Sequence, residues 1–287
     1  MPSTIEGYRT ALADKLGSRG LNISNNTDIA RLISSFHRDK PKCIRILPKW
    51  DLTLVLHQLT KAPFEPLEEC PIKFLTWKTV FLLALASGKR QSEIHSWTIE
   101  GLLNLEDWEQ VQLSPSPSFI AKNQLAREGP SAVAPVVIPS LKQAQRTAET
   151  DILLCPVRAL RSYLNRMADS RVDQQLLFIS FKRGFTKDIQ CSTVSSWIKN
   201  TISFCYTQVE DVDLESLDIK AHDVRAFAAS KVFYGGVSMD QIMSACHWKS
   251  QNTFTRFYLK DLSGQDQKDK HYHLGAFVAA QQVVPSQ

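Results

Sequence analysis

The run Leu83-Ala84-Leu85-Ala86-Ser87-Gly88-Lys89-Arg90-Gln91-Ser92-Glu93-Ile94-His95-Ser96-Trp97 joins an apolar segment to a polar one through a single glycine. The apolar side extends back to Thr76, and its density of Leu, Phe and Ala predicts a buried helix over Thr76–Ser87. Gly88 is suited to the left-handed turn that closes such a helix. Arg90 then lies just past the helix end, where backbone geometry rather than a flexible stem aims it. A guanidinium so held can grip two oxygens of one phosphate. Its commoner fate is a surface pair with Glu93 at i+3.

Working back toward the start, Ile5, Tyr8, Leu12 and Leu16 recur at helical spacing, as do Ile29, Leu32, Ile33 and Phe36, with Asp28 beside Asn26 and Thr27 as the predicted cap of the second helix. Two helices in about forty residues cannot bury a core alone, so the segment reads as the last part of a helical domain. Asp39–Trp50 holds Pro41, Pro48 and four Lys/Arg and reads as a basic linker. Leu52, Val55, Leu56 and Leu59 mark a helix over Asp51–Leu59, broken at Pro63 and Pro66.

Between Trp108 and Pro139 the period changes to two. Trp108–Leu113 alternates, Ser118–Lys122 follows a Pro-rich turn, and Val133–Ile138 is apolar and β-branched, which predicts three short antiparallel strands. Helices return at Pro156, at Thr193–Phe204, Asp223–Tyr234 and Ser238–Ala245, and from Thr253 onward. The class is mostly α with a small antiparallel β-sheet, an α+β protein.

Composition excludes more than it selects. Over 287 residues, 43% are hydrophobic and 22% charged, enough for a sizeable core and against wholesale disorder. A net charge of +5, spread without a polybasic run, permits a nucleic-acid partner without demanding one. Cys43, Cys70, Cys155, Cys191, Cys205 and Cys246 form no zinc-ligand pattern and read as small core residues of a reducing interior. The longest apolar run, Val80–Ala86, is too short to span a bilayer, so a soluble chain is expected.

Three further places carry residues of reactive type. His222 and Arg225, three apart in Ala221-His222-Asp223-Val224-Arg225, share a face if that segment is helical, giving a proton acceptor and a charge clamp together. Alone, such a pair is ordinarily a helix-start histidine and an exposed arginine. Tyr258 follows Phe254 and Phe257 and would ordinarily be a core tyrosine. Lys122, at the end of a predicted strand, would ordinarily be solvated, but on a hairpin folded over a cleft it could donate a proton to a leaving oxygen.

Singly these are weak; their order is not. LALASGKRQSEIHSW (Leu83–Trp97), FIAKNQ (Phe119–Gln124), KAHDVRAFAAS (Lys220–Ser230) and HWKSQNTFTRFYLKDL (His247–Leu262) together resemble the sequential signature of tyrosine recombinases of the phage-integrase type. The resemblance covers about Trp50 to Leu262. The wording of LCPVRALRSYL (Leu154–Leu164), AHDVRA and TFTRFYL looks closest to the recombinases of eukaryotic DIRS-like mobile elements.

The resemblance implies a catalytic domain over 46–287 with a C-terminal tail helix, preceded by a partial core-binding domain and linker over 1–45. It implies that Arg90 and Arg225 bind the scissile phosphate and that Tyr258 attacks it, leaving a 3′-phosphotyrosyl link. His222 would act as base and Lys122 as acid, Trp248 or His247 would complete the phosphate pocket, and Glu93 would orient Arg90 or a neighbour. Trp248 and His247 precede Tyr258 by ten and eleven residues, longer than the family's usual spacing; Trp248 is the preferred choice. Implied too are double-stranded DNA as partner, a homo-oligomer (a tetramer) on DNA, no cofactor, no metal and no membrane, and a nuclear location. A core-binding domain reduced to its last helices would weaken DNA affinity. Two other functions remain open on these residues: a non-catalytic DNA-binding protein descended from such an enzyme, and a topoisomerase using the same chemistry. The tail residues Leu274, Phe277 and Val278 could pack on this chain or on a neighbour.

Overall fold

The computed structural model describes residues 2–39, 49–121, 133–141, 152–171, 174–180, 188–209, 213–246, 248, 251, 254–255 and 258–259. The chain divides into two compact units, Met1–Ile46 and Leu47–Gln287.

The first unit pairs α1 (Pro2–Gly17) with α2 (Thr27–Asp39). The cap of α2 is Asn26, not Asp28: its side-chain oxygen accepts from the backbone N–H groups of Asp28 and Ile29, both at 3.0 Å. Asp28 instead forms an exposed pair with Arg31. Of the apolar positions read as a helical face, Ile33 is buried while Tyr8, Leu12 and Leu32 are exposed.

The second unit is built round α4 (Ile72–Ser87), which starts one turn earlier than the sequence suggests, after Pro71. Leu75, Val80, Phe81 and Leu83 lie on different sides of it and all are buried, as befits a helix that is apolar all round. It packs against α6 (Pro156–Met167), α7 (Cys191–Thr207) and α8 (Asp223–Tyr234), while α3 (Leu52–Leu59) and α5 (Gln91–His95) pack on α7. Helix α9 (Met239–Ala245) packs on α8 and is capped by Ser238, whose hydroxyl accepts from the Gln241 N–H, and Gln251, Phe254 and Thr255 beyond it are helical as well. Trp50, assigned to the linker on sequence, is a fully buried core residue set edge-on to Phe227 at 4.7 Å. The rest of the linker lies outside the described residues, apart from Asp39, which ends α2, and the exposed Lys49.

The sheet has three antiparallel strands in the order β1 (Trp97–Leu105), β2 (Gln110–Pro115), β3 (Val136–Pro139). Strand count and direction agree with the sequence, and Trp108–Leu113 and Val133–Ile138 overlap β2 and β3, but the described part of Ser118–Lys122 is not a strand. Strand β1 precedes the region read as β, and Ser118–Ala121 is turn and irregular chain after β2. Trp108 belongs to the turn joining β1 to β2, where Glu106, Asp107 and Trp108 all have positive φ and Asn104 accepts from the Trp108 N–H at 2.6 Å. Register shifts between Trp97 and Leu102, and there Gly101 lets β2 approach: a Cβ on it would stand 2.6 Å from the Ser114 carbonyl oxygen.

A buried charge cluster ties the turn after α3 to α4 and α6. The Lys78 ammonium, fully buried, donates to the Leu59 carbonyl at 2.7 Å and to Glu65, whose carboxylate also takes a two-pronged grip from Arg158 at 2.7 and 3.1 Å. Burial pushes the Glu65 carboxyl up, but the hydrogen bonds from Arg158 and Lys78 outweigh it and hold the group below the usual carboxylate range. A depressed carboxyl stabilises the fold above its unfolded pKa, and that contribution is lost as pH falls through the lower folded value. Glu65→Ala strands the Lys78 ammonium and is expected to cost about 3–5 kcal/mol at neutral pH. Urea unfolding from pH 7 down to about pH 3 checks this, with the gap between variant and wild type narrowing below about pH 4.5.

Candidate active site

Helix α4 ends where Gly88 turns left-handed (φ 57°), its N–H returning to the Ala84 carbonyl at 3.1 Å. That turn delivers Arg90 to the N-cap position of α5, with extended backbone. Glu93, one turn into α5 and 3% exposed, reaches back so that Oε2 accepts from the Arg90 N–H at 2.8 Å and lies 3.8 Å from the Arg90 guanidinium. The sequence-level pair with Glu93 therefore exists, but the carboxylate is buried and does more than hold Arg90.

Its main partner comes from α8. Arg225, also 3% exposed, donates from Nη1 to the same Glu93 oxygen at 3.3 Å, and from Nη2 to the carbonyl of Cys246 just past α9. Three segments far apart in sequence are thus tied to one guanidinium. Burial pulls Arg225 below the ordinary arginine range, with Cys246 and Glu93 acting in the opposite sense and Arg90 in the same one. An arginine keeps its charge regardless.

Tyr258 is brought to this place by aromatic stacking. The Trp248 ring lies 4.5 Å from that of Tyr258 and stacks on Phe254 at 5.2 Å; Phe254 is fully buried and meets Phe233 edge-on at 5.6 Å. The Ser230 hydroxyl on α8 donates to the Tyr258 carbonyl at 3.1 Å, and the Tyr258 N–H returns to Phe254 at 2.8 Å. The Arg225 guanidinium lies 4.9 Å from the centre of the Trp248 ring and 5.5 Å from that of Tyr258, cation–π distances that keep the charge beside the tyrosine.

Arg90, His222, Arg225 and Tyr258, with Lys89, line one cleft of about 290 Å³ whose wall includes no acidic residue among the described residues. His222 is the residue before α8 rather than a member of it, with its side chain 43% exposed and Nε2 3.8 Å from Asp223. His222 and Arg225 both line the cleft, the histidine from its rim at the N-cap of α8 and the arginine from the core. Arg225 Nε, Trp248 Nε1 and Glu93 Oε1 are buried and have no hydrogen-bond partner among the described residues. Lys122 and His247, the remaining residues singled out from sequence, lie outside the described residues, as do Leu274, Phe277 and Val278.

Two residues of the site carry no clear mark in the sequence: Lys89, which is buried on the cleft wall, and Ser230, which fixes the tyrosine's backbone. The signal for Lys89 is its position, locked between a left-handed glycine and the arginine. Ser230 gives none, since a serine in mid-helix has no pattern of its own. Among the described residues no group of His, Cys, Asp and Glu is placed to hold a metal ion, and no helix is long and apolar enough to cross a membrane.

With this geometry in view, comparison with solved structures returns the crystal structure of XerA recombinase, at a TM-score of 0.50 and 16% sequence identity, covering 95% of this chain and 84% of that one. The two proteins share a fold. No protein-family model matches the chain, and no curated protein matches it in sequence.

The site's internal hierarchy is testable by stability alone. Removing the Glu93 carboxylate (Glu93→Ala) leaves the Arg225 guanidinium buried without its counter-charge, and a loss of about 3–5 kcal/mol is expected in urea unfolding. Arg90→Ala breaks only a longer, part-exposed pair and is expected to cost under about 1 kcal/mol. Equal losses in the two variants would show that Glu93 is not organised around Arg225.

Proposed function

We propose that the chain cuts and rejoins double-stranded DNA with Tyr258 as nucleophile, the chemistry of site-specific recombination and integration. The observation that carries this is the convergence of Arg90, His222, Arg225 and Tyr258, from separate segments, on one cleft walled by cations, with no carboxylate among its described lining residues. Such a wall attracts a phosphodiester and sets no like charge against it. The buried, unpaired Nε of Arg225 supports the same reading, because an orphaned donor costs about 1–3 kcal/mol until an acceptor arrives.

In this reading the phosphate sits between the two guanidiniums. The Tyr258 oxygen forms a bond to phosphorus as the bond to the 5′-oxygen breaks, giving a 3′-phosphotyrosyl link. The phenolic proton passes to His222, and Lys122 protonates the departing oxygen. Negative charge builds on the phosphate as the phenol oxygen attacks, and the Arg225 guanidinium, 5.5 Å from the Tyr258 ring centre, is a fixed cation beside that charge. Rejoining reverses each step, the covalent link having kept the phosphodiester energy. Work on two DNA sites calls for several copies of the chain, a tetramer on DNA being the expected assembly, and a eukaryotic mobile element, acting in the nucleus, is the proposed origin.

A duplex nicked so that the short leaving strand diffuses away should trap a covalent protein–DNA adduct on a denaturing gel. Tyr258→Phe is expected to abolish it, and Arg90→Ala or Arg225→Ala to slow its formation by about 10²–10³. Duplex binding that Tyr258→Phe leaves intact, with no adduct from wild type on any duplex tried, would indicate a binding protein without the chemistry. Relaxation of supercoiled plasmid without exchange between sites would indicate a topoisomerase. Affinity for duplex DNA should fall by a constant factor per doubling of salt, as released counterions require; salt-independent affinity would remove DNA as the partner.

A further inference from the structure

Ser230 lies on α8, five residues after Arg225, and is fully buried. Its hydroxyl donates to the Tyr258 carbonyl at 3.1 Å, across 28 residues of chain. Hydroxyls inside helices ordinarily turn back to their own backbone, and in this chain Thr76, Thr79, Ser196 and Thr201 each donate to the carbonyl four residues earlier. A hydroxyl has one proton to give, and Ser230 gives it to the backbone of the tyrosine. The acceptor is equally particular. Phe254 and Thr255 are helical, and the Tyr258 N–H returns to the Phe254 carbonyl at 2.8 Å. The Leu259 N–H returns to the same carbonyl, also at 2.8 Å, a five-residue step that a continuing α-helix does not make. The ladder therefore ends at Tyr258, and a carbonyl at a helix end takes its donor from outside the helix. Helix α8 supplies it.

We propose that Ser230 is a positioning residue for the nucleophile: by pinning the Tyr258 backbone to α8, it sets the place of the phenol relative to the phosphate that Arg225 holds. This rests on the phosphodiester-cleavage reading. Five residues of α-helix rise about 7.5 Å, so Arg225 and Ser230 are two fixed points on one rod. The tyrosine meets both, its ring 5.5 Å from the Arg225 guanidinium and its backbone bonded to Ser230. A single contact would fix a distance and leave the residue free to turn about it; two contacts fix its direction as well. Trp248, 4.5 Å away, bears on the ring, and the hold on the backbone falls to Phe254 and Ser230. Displacement at phosphorus needs the attacking and leaving oxygens roughly in line, and a misplacement of about 1 Å can cost about 10²-fold in rate. In this role Ser230 touches no reacting atom and acts through Tyr258.

The test compares Ser230→Ala and Ser230→Thr with wild type in single-turnover cleavage of the nicked duplex and in duplex affinity, at a temperature where circular dichroism shows each chain folded. Ser230→Ala is expected to slow cleavage by about tenfold or more while changing Kd by less than about twofold. Ser230→Thr keeps the hydroxyl and is expected to recover most of the rate; should its added methyl prevent folding, Ser230→Ala and the measurement that follows decide. Fluorine NMR with 3-fluorotyrosine at position 258 reads the ring directly, without DNA. Ser230→Ala is expected to move or split the resonance that the Trp248 stack sets in wild type. A merely structural serine would lower the melting temperature and leave both the rate of the folded protein and the resonance where they are. Cleavage within about twofold of wild type, a loss carried wholly by Kd, or an unmoved resonance each overturns the proposal. If wild type forms no adduct on any duplex, the cleavage reading fails by itself, and the resonance then decides whether Ser230 seats the ring.

Discussion

A carboxylate and a guanidinium, each all but sealed from solvent, meet where Glu93 holds Arg225, and the geometry of the cleft follows from that pair. Taking both charges out of water costs several kcal/mol apiece, which a single contact at 3.3 Å does not obviously return. The pair is better understood through what it fixes. Glu93 also ties down the backbone at Arg90, and Arg225 also holds the carbonyl of Cys246, so the glycine turn after α4, the start of α8 and the end of α9 share one hydrogen-bonded node. A buried ion pair of this kind trades stability for the position of its members. Here the position is the wall of a cleft.

The aromatic side of the site depends on the same node. Trp248 and Tyr258 stack with each other and lie against the Arg225 guanidinium. Displacing that charge would remove the platform on which the phenol rests, so charge and nucleophile are set by one residue rather than by two independent elements. Phe254 supplies the apolar end of the stack and Ser230 a backbone anchor. The combination of a cleft walled by lysine and arginine with a tyrosine on an aromatic stack, more than any single side chain, is what the proposed phosphodiester chemistry rests on.

Much of this is legible in sequence wherever a local rule has one outcome. Gly88 has to end α4, because the left-handed turn excludes most side chains, and α8 falls on Asp223–Tyr234 as its pattern requires. Depth is not legible. Spacing puts His222 and Arg225 together but cannot say that one sits at the rim, 43% exposed, and the other in the core. Nothing local marks Lys89 as buried, because its burial is decided by helices distant in sequence. Strand β1 escapes the pattern since its apolar residues do not alternate and Gly101 interrupts them, whereas Ser118–Ala121 has strand-like composition but none of its residues pairs in the sheet. Asn26 outcompetes Asp28 as a cap because helix α2 begins at Thr27, two residues before Ile29, the first of its apolar positions.

The most direct measurement is to digest the adduct trapped on the nicked duplex and map the nucleotide-bearing residue by mass spectrometry. A nucleotide linked through its 3′-phosphate to Tyr258 is the expected result. A nucleotide on any other residue, or a 5′-phosphate linkage, would contradict the placing of the nucleophile in the cleft that Glu93 and Arg225 build.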